Sequence, residues 1–268
     1  MPSLPFPCTA LPLSAAGINA AMNTLGVDAA TVWAILEVET QGCGCLSDRR
    51  PQILYERHIF SGLTRGAHDA AYPGISNPVS GGYGPGGAAQ YTRLAEAVGC
   101  DQSAALQSAS WGMGQVMGEH FAMLGYPTVE AMVTDMCASE DAQLAAAVGF
   151  IIKNNLARFL QAKDWVNYAL HYNGADYTKN RYDARLAAAH TRFSDGPLPD
   201  LNVRIGQACL HFLGFDPKGV DGQVGSNTLL ALHAFQAKSA LPLTAGIDAD
   251  VAGSLLASLP QPQNLWMP

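Results

Sequence analysis

From Gly42 to Gln90 the chain is written in residues that interrupt helices. ISNPVSGGYGPGGAAQY (75–91) shows the character of the stretch: glycine, proline, Ser and Asn, with few apolar residues in a row. Such a segment cannot be threaded through a helix, because proline removes a backbone donor and glycine gives up helical propensity. Yet the sequence on either side has helical periodicity. The chain must therefore form a helix, then an insert of loops and short strands, then a longer helical block. A plain helical bundle is excluded, and the expected class is mainly α with a small β and loop region.

Residues 17–41 read as the first helix. Within the insert, QILYERHIF (52–60) alternates as a strand does, with Ile53, Tyr55 and Arg57 on one face and Leu54, Glu56 and His58 on the other. From Gln90 to Arg192 the chain is Ala-rich and helical, with interruptions at 99–101, 125–128 and 172–180. FSDGPLPDLN (193–202) has the composition of a linker. Beyond it lie three short helical patterns, Asn202–Leu213, Ser226–Ser239 and Asp250–Leu259. The turn-rich FDPKGVDGQVGSNT separates the first two, and Ser226 or Asn227 is available as a helix cap. The expected division is 1–193, a linker at 194–201, and a small module at 202–262, near the lower size limit for independent folding.

Of the 268 residues, 49% are hydrophobic and 14% charged, enough to build a core and too apolar for disorder. The net charge of −7 argues against a nucleic-acid binder, which would present a basic face. No run of about 18 apolar residues exists to span a bilayer. MPSLPFPCTALPLSAAG, at the N-terminus, lacks basic residues and is broken by prolines, so no signal peptide is expected. The six scattered cysteines do not form a disulfide framework pattern. His58, His120, His171 and His190 fall in no HExxH pattern and share no zinc-ligand spacing with cysteines, so neither metal nor cofactor is expected.

The residues most suggestive of chemistry are in LEVETQGCGC (36–45), where two acids stand at a helix end that disfavours anions. Val32, Ile35 and Leu36 make an i, i+3, i+4 stripe, and its next member is Glu39. Glu37 lies about 200° away around the helix, near Trp33, facing solvent. A carboxyl on the inward face is pushed toward its protonated form by desolvation and by the helix end. That is the state a general acid needs. The other use for an inward Glu39 is an ion pair, with Arg49, Arg50 or Arg57 as partners.

Several segments carry a family likeness. VETQG (38–42) resembles the glutamate–Ser–Gly signature at the end of the first core helix in lysozyme-like muramidases and lytic transglycosylases. SWGMGQVMG (110–118) is similar to their Ser-Trp-Gly-Leu-x-Gln-Ile-Met segment, and ALHYNGADY (169–177) to their Ala-x-x-Tyr-Asn-Gly segment. ILYERH, ISNPVSGGYG, AQYTRL and KDWVNYALHYNG resemble more narrowly the N-acetylmuramidase domain of modular phage endolysins, over residues 15–193. One departure is Thr40 where Ser normally follows the acid, with Gln41 where Gly often sits. The tail resembles the small three-helix peptidoglycan-binding domain, through Gln207, Leu210, Asp221-Gly222 through Thr228, and Phe235-Gln236.

The resemblance implies a lysozyme-like catalytic domain followed by a peptidoglycan-binding domain, acting on peptidoglycan; a monomer is the default expectation. It implies cleavage of the β-1,4 bond between N-acetylmuramic acid and N-acetylglucosamine, with Glu39 as general acid. It also implies accumulation in a host cytoplasm, with access to the wall through a holin pore. Ser110, Gln115, Tyr172 and Asn173 would line the sugar groove, and Tyr83 offers a further aromatic face with a polar tip. A second carboxylate would be Asp48 or Glu56, Glu56 being the better placed on the expected strand, unless an ion pair with Arg57 or Arg65 uses it. Trp111 is expected in the core. The other readings are a lytic transglycosylase giving anhydromuramic ends and a non-catalytic wall-binding protein.

Overall fold

A computed structural model describes residues 8–40 and 42–262; the side chains of Thr40, Ala175 and Asp176 are outside the described set. The element order is α1 (Ala15–Leu25), α2 (Ala29–Thr40), β1 (Ile53–Tyr55), α3 (Arg57–Leu63), α4 (Ala88–Cys100), α5 (Gln102–Gln107), β2 (Ala109–Trp111), β3 (Val116–Met117), α6 (Val129–Ala138), α7 (Glu140–Lys153), α8 (Ala157–Gln161), α9 (Trp165–Asn173), α10 (Tyr182–Asp195), α11 (Leu201–Phe212), α12 (Ser226–Lys238) and α13 (Ala249–Ala257). The mainly α class is as the sequence indicates.

Three local expectations are corrected. The helix read over 17–41 is two helices. Gly26, at φ 66°, closes α1 in the left-handed conformation, and its N–H bonds the carbonyl of Met22. Asp28 then opens α2, its Oδ1 accepting from the backbone N–H of Thr31 at 2.8 Å. The strand read over 52–60 ends at Tyr55, and Glu56 is the N-cap residue of α3, so the alternation does not continue through Arg57 and His58. SWGMGQVM, read inside a helical block, is a hairpin in which Ser110 pairs with Met117 and Trp111 with Val116. β1 adds to it antiparallel, Ile53 opposite Trp111, giving the order β1-β2-β3.

The chain divides into two compact units. One comprises Gly44–Ala146 with the flanking residues 8–10 and carries the sheet, α3–α6 and the start of α7. Its core includes Tyr55, Phe60, Leu94, Leu106, Trp111, Met132 and Met136, all fully buried. Two buried glutamines hold its loops. Gln90 donates to the carbonyls of Tyr83 and Pro85, both at 2.7 Å, and accepts from the Tyr55 N–H. Gln143 accepts from the N–H of Met113 at 2.9 Å and donates to the carbonyl of Met136 at 2.8 Å. A Cβ on Gly112 would stand 2.6 Å from the Gln143 side chain, so glycine is required for that approach.

The other unit comprises Leu11–Cys43 and Ala147–Gln261. In it α10 packs along α2, with α1 also against α2. Helix α2 is consequently buried nearly all round: Val32, Ile35 and Leu36 are buried, and so are Thr31, Trp33, Ala34 and Val38. The expected stripe is only part of an enclosed surface.

The helices α11, α12 and α13 share a core of Val203, Cys209, Leu210, Ala231, Leu232, Phe235, Ile247, Ala252 and Leu255. Two more glutamines bind their loops. Gln207 accepts from the N–H groups of Asp221 and Gly222 and donates to Asp221 Oδ1, the Gln223 carbonyl and Thr228 Oγ1, all within 3.0 Å. Gln236 exchanges hydrogen bonds with Thr244. Gly225, with no side-chain bond, is the N-cap of α12 in place of Ser226 or Asn227. Helix α10 runs to Asp195, two residues into the expected linker.

Candidate active site

Glu39 is the penultimate residue of α2. The residue keeps partial exposure, but its Oε1 is buried without a hydrogen-bond partner. Burial pushes its pKa up to about 7, against a smaller opposing pull from the Asn173 amide and the Arg185 guanidinium. Nδ2 of Asn173 is itself buried and unbonded, so its amide stabilises the anion only in part. A carboxyl in this setting holds its proton to near neutrality and retains a path to solvent.

The same unit supplies the surroundings of Glu39. Asp164 caps α9, accepting from the Asn167 N–H at 3.1 Å, and the helix carries Tyr168, Tyr172 and Asn173 along its length. The Tyr168 and Tyr172 rings stack at 5.3 Å, and Phe150 meets Tyr172 edge-on at 5.5 Å. Both phenols are held well above their usual pKa, first by burial and then by the neighbouring acid groups, Glu39 among them. Tyr182 and Arg185 come from α10; Arg185 donates to the Val38 carbonyl at 3.3 Å, and Tyr182 is raised by burial and by Glu39. Thus Tyr172 and Asn173, expected from sequence, do gather with Glu39. Tyr168, Tyr182 and Arg185 were not anticipated. Tyr168 stands four residues before Tyr172, on the same helix face, a spacing that could have revealed it.

The arginine whose charge bears on Glu39 is Arg185, and the three weighed as ion-pair partners make bonds elsewhere. Arg49 donates to the Thr9 carbonyl, Arg50 pairs with Asp48 and covers the Tyr91 ring at 4.1 Å, and Arg57 donates to the Val79 carbonyl. Glu37 is exposed and paired with Arg192. Thr40's side chain and Gln41, the two departures in the signature, lie outside the described residues.

The remaining candidates belong to the first unit. Glu56 is partly buried. Its Oε2 lies 3.1 Å from Nδ1 of His58, although neither atom completes a hydrogen bond. The Tyr83 phenol is held above its usual pKa, by burial first and then by Glu56 beside it. Tyr83 is set there by its own carbonyl, which accepts from Gln90 and from Arg93 at 3.0 Å. Ser110 and Gln115 spend their polar groups inside the hairpin: Ser110 donates to Gln115 Oε1 at 2.8 Å, and Gln115 donates to the carbonyls of Gly112 and Gln52. Asp48 is occupied by Arg50. Trp111 is fully buried and donates to the Leu106 carbonyl, a core residue as expected. Among the described residues no cluster of three or more His, Cys, Asp or Glu could hold a metal, and no helix is long and apolar enough to cross a membrane.

A family model described as N-acetylmuramidase matches residues 28–194. Among solved structures, the chain is similar to the Burkholderia AP3 phage endolysin, with 43% identity and a TM-score of 0.65, over 69% of this chain and 72% of that one. No curated protein matches. The family match spans Glu39, Glu56, Tyr83, Ser110, Gln115, Tyr172 and Asn173, and stops before α11.

Proposed function

This chain belongs to the N-acetylmuramidase family, and on that premise we propose that it lyses bacteria by cleaving the β-1,4 bond between N-acetylmuramic acid and N-acetylglucosamine. It is a glycosidase acting on peptidoglycan. The observation that carries the proposal is Glu39: a carboxyl at the end of a buried helix, protonated to about pH 7 by its enclosure. Glu39 gives its proton to the glycosidic oxygen as the bond breaks. Charge then develops on the sugar ring, and water completes hydrolysis. Tyr172 and Asn173 present a ring face and an amide to the glycan beside the acid. Ser110 and Gln115 contribute by fixing the hairpin, with Tyr83 as an aromatic contact. Glu56 is the candidate second carboxylate. Helices α11–α13 act as a wall-binding module, joined through 194–201, which raises the local concentration of substrate. The protein works as a monomer and crosses from a host cytoplasm through a holin pore.

A transglycosylase reading has one specific observation in its favour. The groups that shift Glu39 are an amide and a guanidinium, with no carboxylate among them. A single acid suffices if the muramic C6 hydroxyl takes the place of water. Mass spectrometry of digested glycan separates the two: reducing muramic ends are expected, and anhydromuramic ends sink the hydrolase reading.

Glu39→Gln keeps the shape of the side chain and removes the proton donor. Lysis of outer-membrane-permeabilised cells is expected to fall by about 10²-fold or more, the range for losing a positioned general acid. Equal lysis by the variant and the parent would remove Glu39 from the mechanism. No lysis by either would favour a wall-binding protein without catalysis.

A further inference from the structure

Helix α2 ends at Thr40 with no basic residue in its last turn. The end of a helix leaves carbonyls without partners and carries partial negative charge, so an unsupported end frays. Here a cation is brought from elsewhere in the same unit. Arg204, on α11, is 2% exposed, and its Nη2 donates to the Gly42 carbonyl at 2.7 Å. Gly42 is three residues beyond Glu39. It also lies against the loop after α11: a Cβ on Gly42 would stand 3.1 Å from the carbonyl oxygen of Val220 and 3.2 Å from its nitrogen. Gly42 has φ +114°, which disfavours any side chain.

The surroundings of this contact are not close-packed. A cavity of about 360 Å³ opens beside it, lined by Trp33, Leu36, Phe193, Pro199 and Val220 as well as by Gly42 and Arg204. Close packing would hold the segment after α2 in place from all sides. With space alongside, the Arg204 bond and the backbone contact of Gly42 with Val220 add to the hold that Arg185 has on the Val38 carbonyl one turn earlier.

We propose that Arg204 is a positioning residue for Glu39: the C-terminal helices fix the end of the acid's helix as well as binding wall. The inference rests on the reading of Glu39 as the general acid. Proton donation is sensitive to placement, and an error of about 1 Å can cost about 10²-fold in rate. Arg204 is not among the charges that shift Glu39, so it acts through position.

The test uses the full-length chain on soluble, uncross-linked peptidoglycan strands. Arg204→Met retains the length and apolar stem of the side chain and removes its donors. kcat is expected to fall about tenfold with KM changed less than twofold. The alkaline midpoint of the kcat profile, near pH 7 in the parent, is expected to move down as water reaches a less enclosed Glu39. Arg204→Lys, which keeps a cation, recovers part of the rate. Gly42→Ala disturbs the same contact from the other side and is expected to give the same fall and the same midpoint shift. It also serves if Arg204→Met does not fold. A lower kcat with an unmoved midpoint would mean only fewer folded molecules and would overturn the proposal. So would a parental kcat in both variants. Glu39→Gln runs alongside: if it is active, the reading of Glu39 fails, whereas if it is dead and Arg204→Met is fully active, only the positioning role fails.

Discussion

Glu39 unites two properties that a sequence shows separately: an inward direction and a poor electrostatic position. Their combination has a cost in stability with a definite sign. The pKa is raised from 4.5 to about 7, so between those values the folded state holds a proton that the unfolded state has lost. The stability Glu39 contributes is therefore present below about pH 4.5 and is lost by about pH 7. At about 1.4 kcal/mol per pH unit the loss is at most about 3.5 kcal/mol, and partial exposure of the residue brings it down. Glu39→Gln is expected to flatten that part of the melting-temperature profile and to be the more stable protein at pH 8. Equal slopes for variant and parent would mean that Glu39 is ionised at pH 5 when folded. In the parent, kcat is expected to decline as pH rises through 7, since the donor must be protonated. The periodicity of 32–39 distinguished Glu39 from Glu37 in sequence, and Glu37 is the one exposed residue between Thr31 and Glu39. Arg185 and Tyr182 were not legible, because what brings them to Glu39 is the packing of α10 along α2, a long-range event with no local signature.

Elements were read well where one periodicity ran through them and poorly where it changed midway. QILYERHIF begins as a strand and becomes helix at Arg57; its alternation of apolar and polar residues suited either for a few positions. SWGMGQVM sits inside an Ala-rich block but is folded by tertiary bonds, with Gln143 accepting from the Met113 N–H and Gln115 tying Ser110. Loops are fixed in both units by buried glutamines, each offering one acceptor and two donors to the backbone. No periodicity marks such residues. The stretch Asp221 to Thr228 was legible as turn-rich, and Gln207 shows its physical basis, since the segment wraps around that amide. Gln207→Leu would leave the buried Gly222 N–H unsatisfied, at about 1–3 kcal/mol, and free the part-buried N–H of Asp221 as well. Amides of α11–α13 are expected to exchange about 100-fold faster, corresponding to about 3 kcal/mol. Exchange within a factor of two of the parent would show that the turn is held by other contacts.

For the whole molecule, composition governs association more than fold. The chain carries a net charge of −7, and peptidoglycan is itself rich in carboxylates from its peptide stems. Long-range attraction cannot guide the encounter, in contrast to a basic lysin, whose association is hastened at low salt. On the function proposed above, what holds the protein to the wall acts at short range, and Tyr172 and Asn173 are the proposed source of ring-face and hydrogen-bond contacts. The consequence is a salt dependence of unusual sign. Raising ionic strength from about 10 mM to about 150 mM shortens the screening length from about 30 Å to about 8 Å, which weakens repulsion between like-charged partners and leaves short contacts intact. Binding to purified sacculi and initial lysis rate are both expected to hold steady or rise up to about threefold across that range. A tenfold fall would reveal a local cationic surface that dominates the acidic total. Arg204→Met removes a buried cation and would leave this dependence unchanged while lowering kcat, so the salt and rate measurements separate the approach to the wall from the placement of the acid once there.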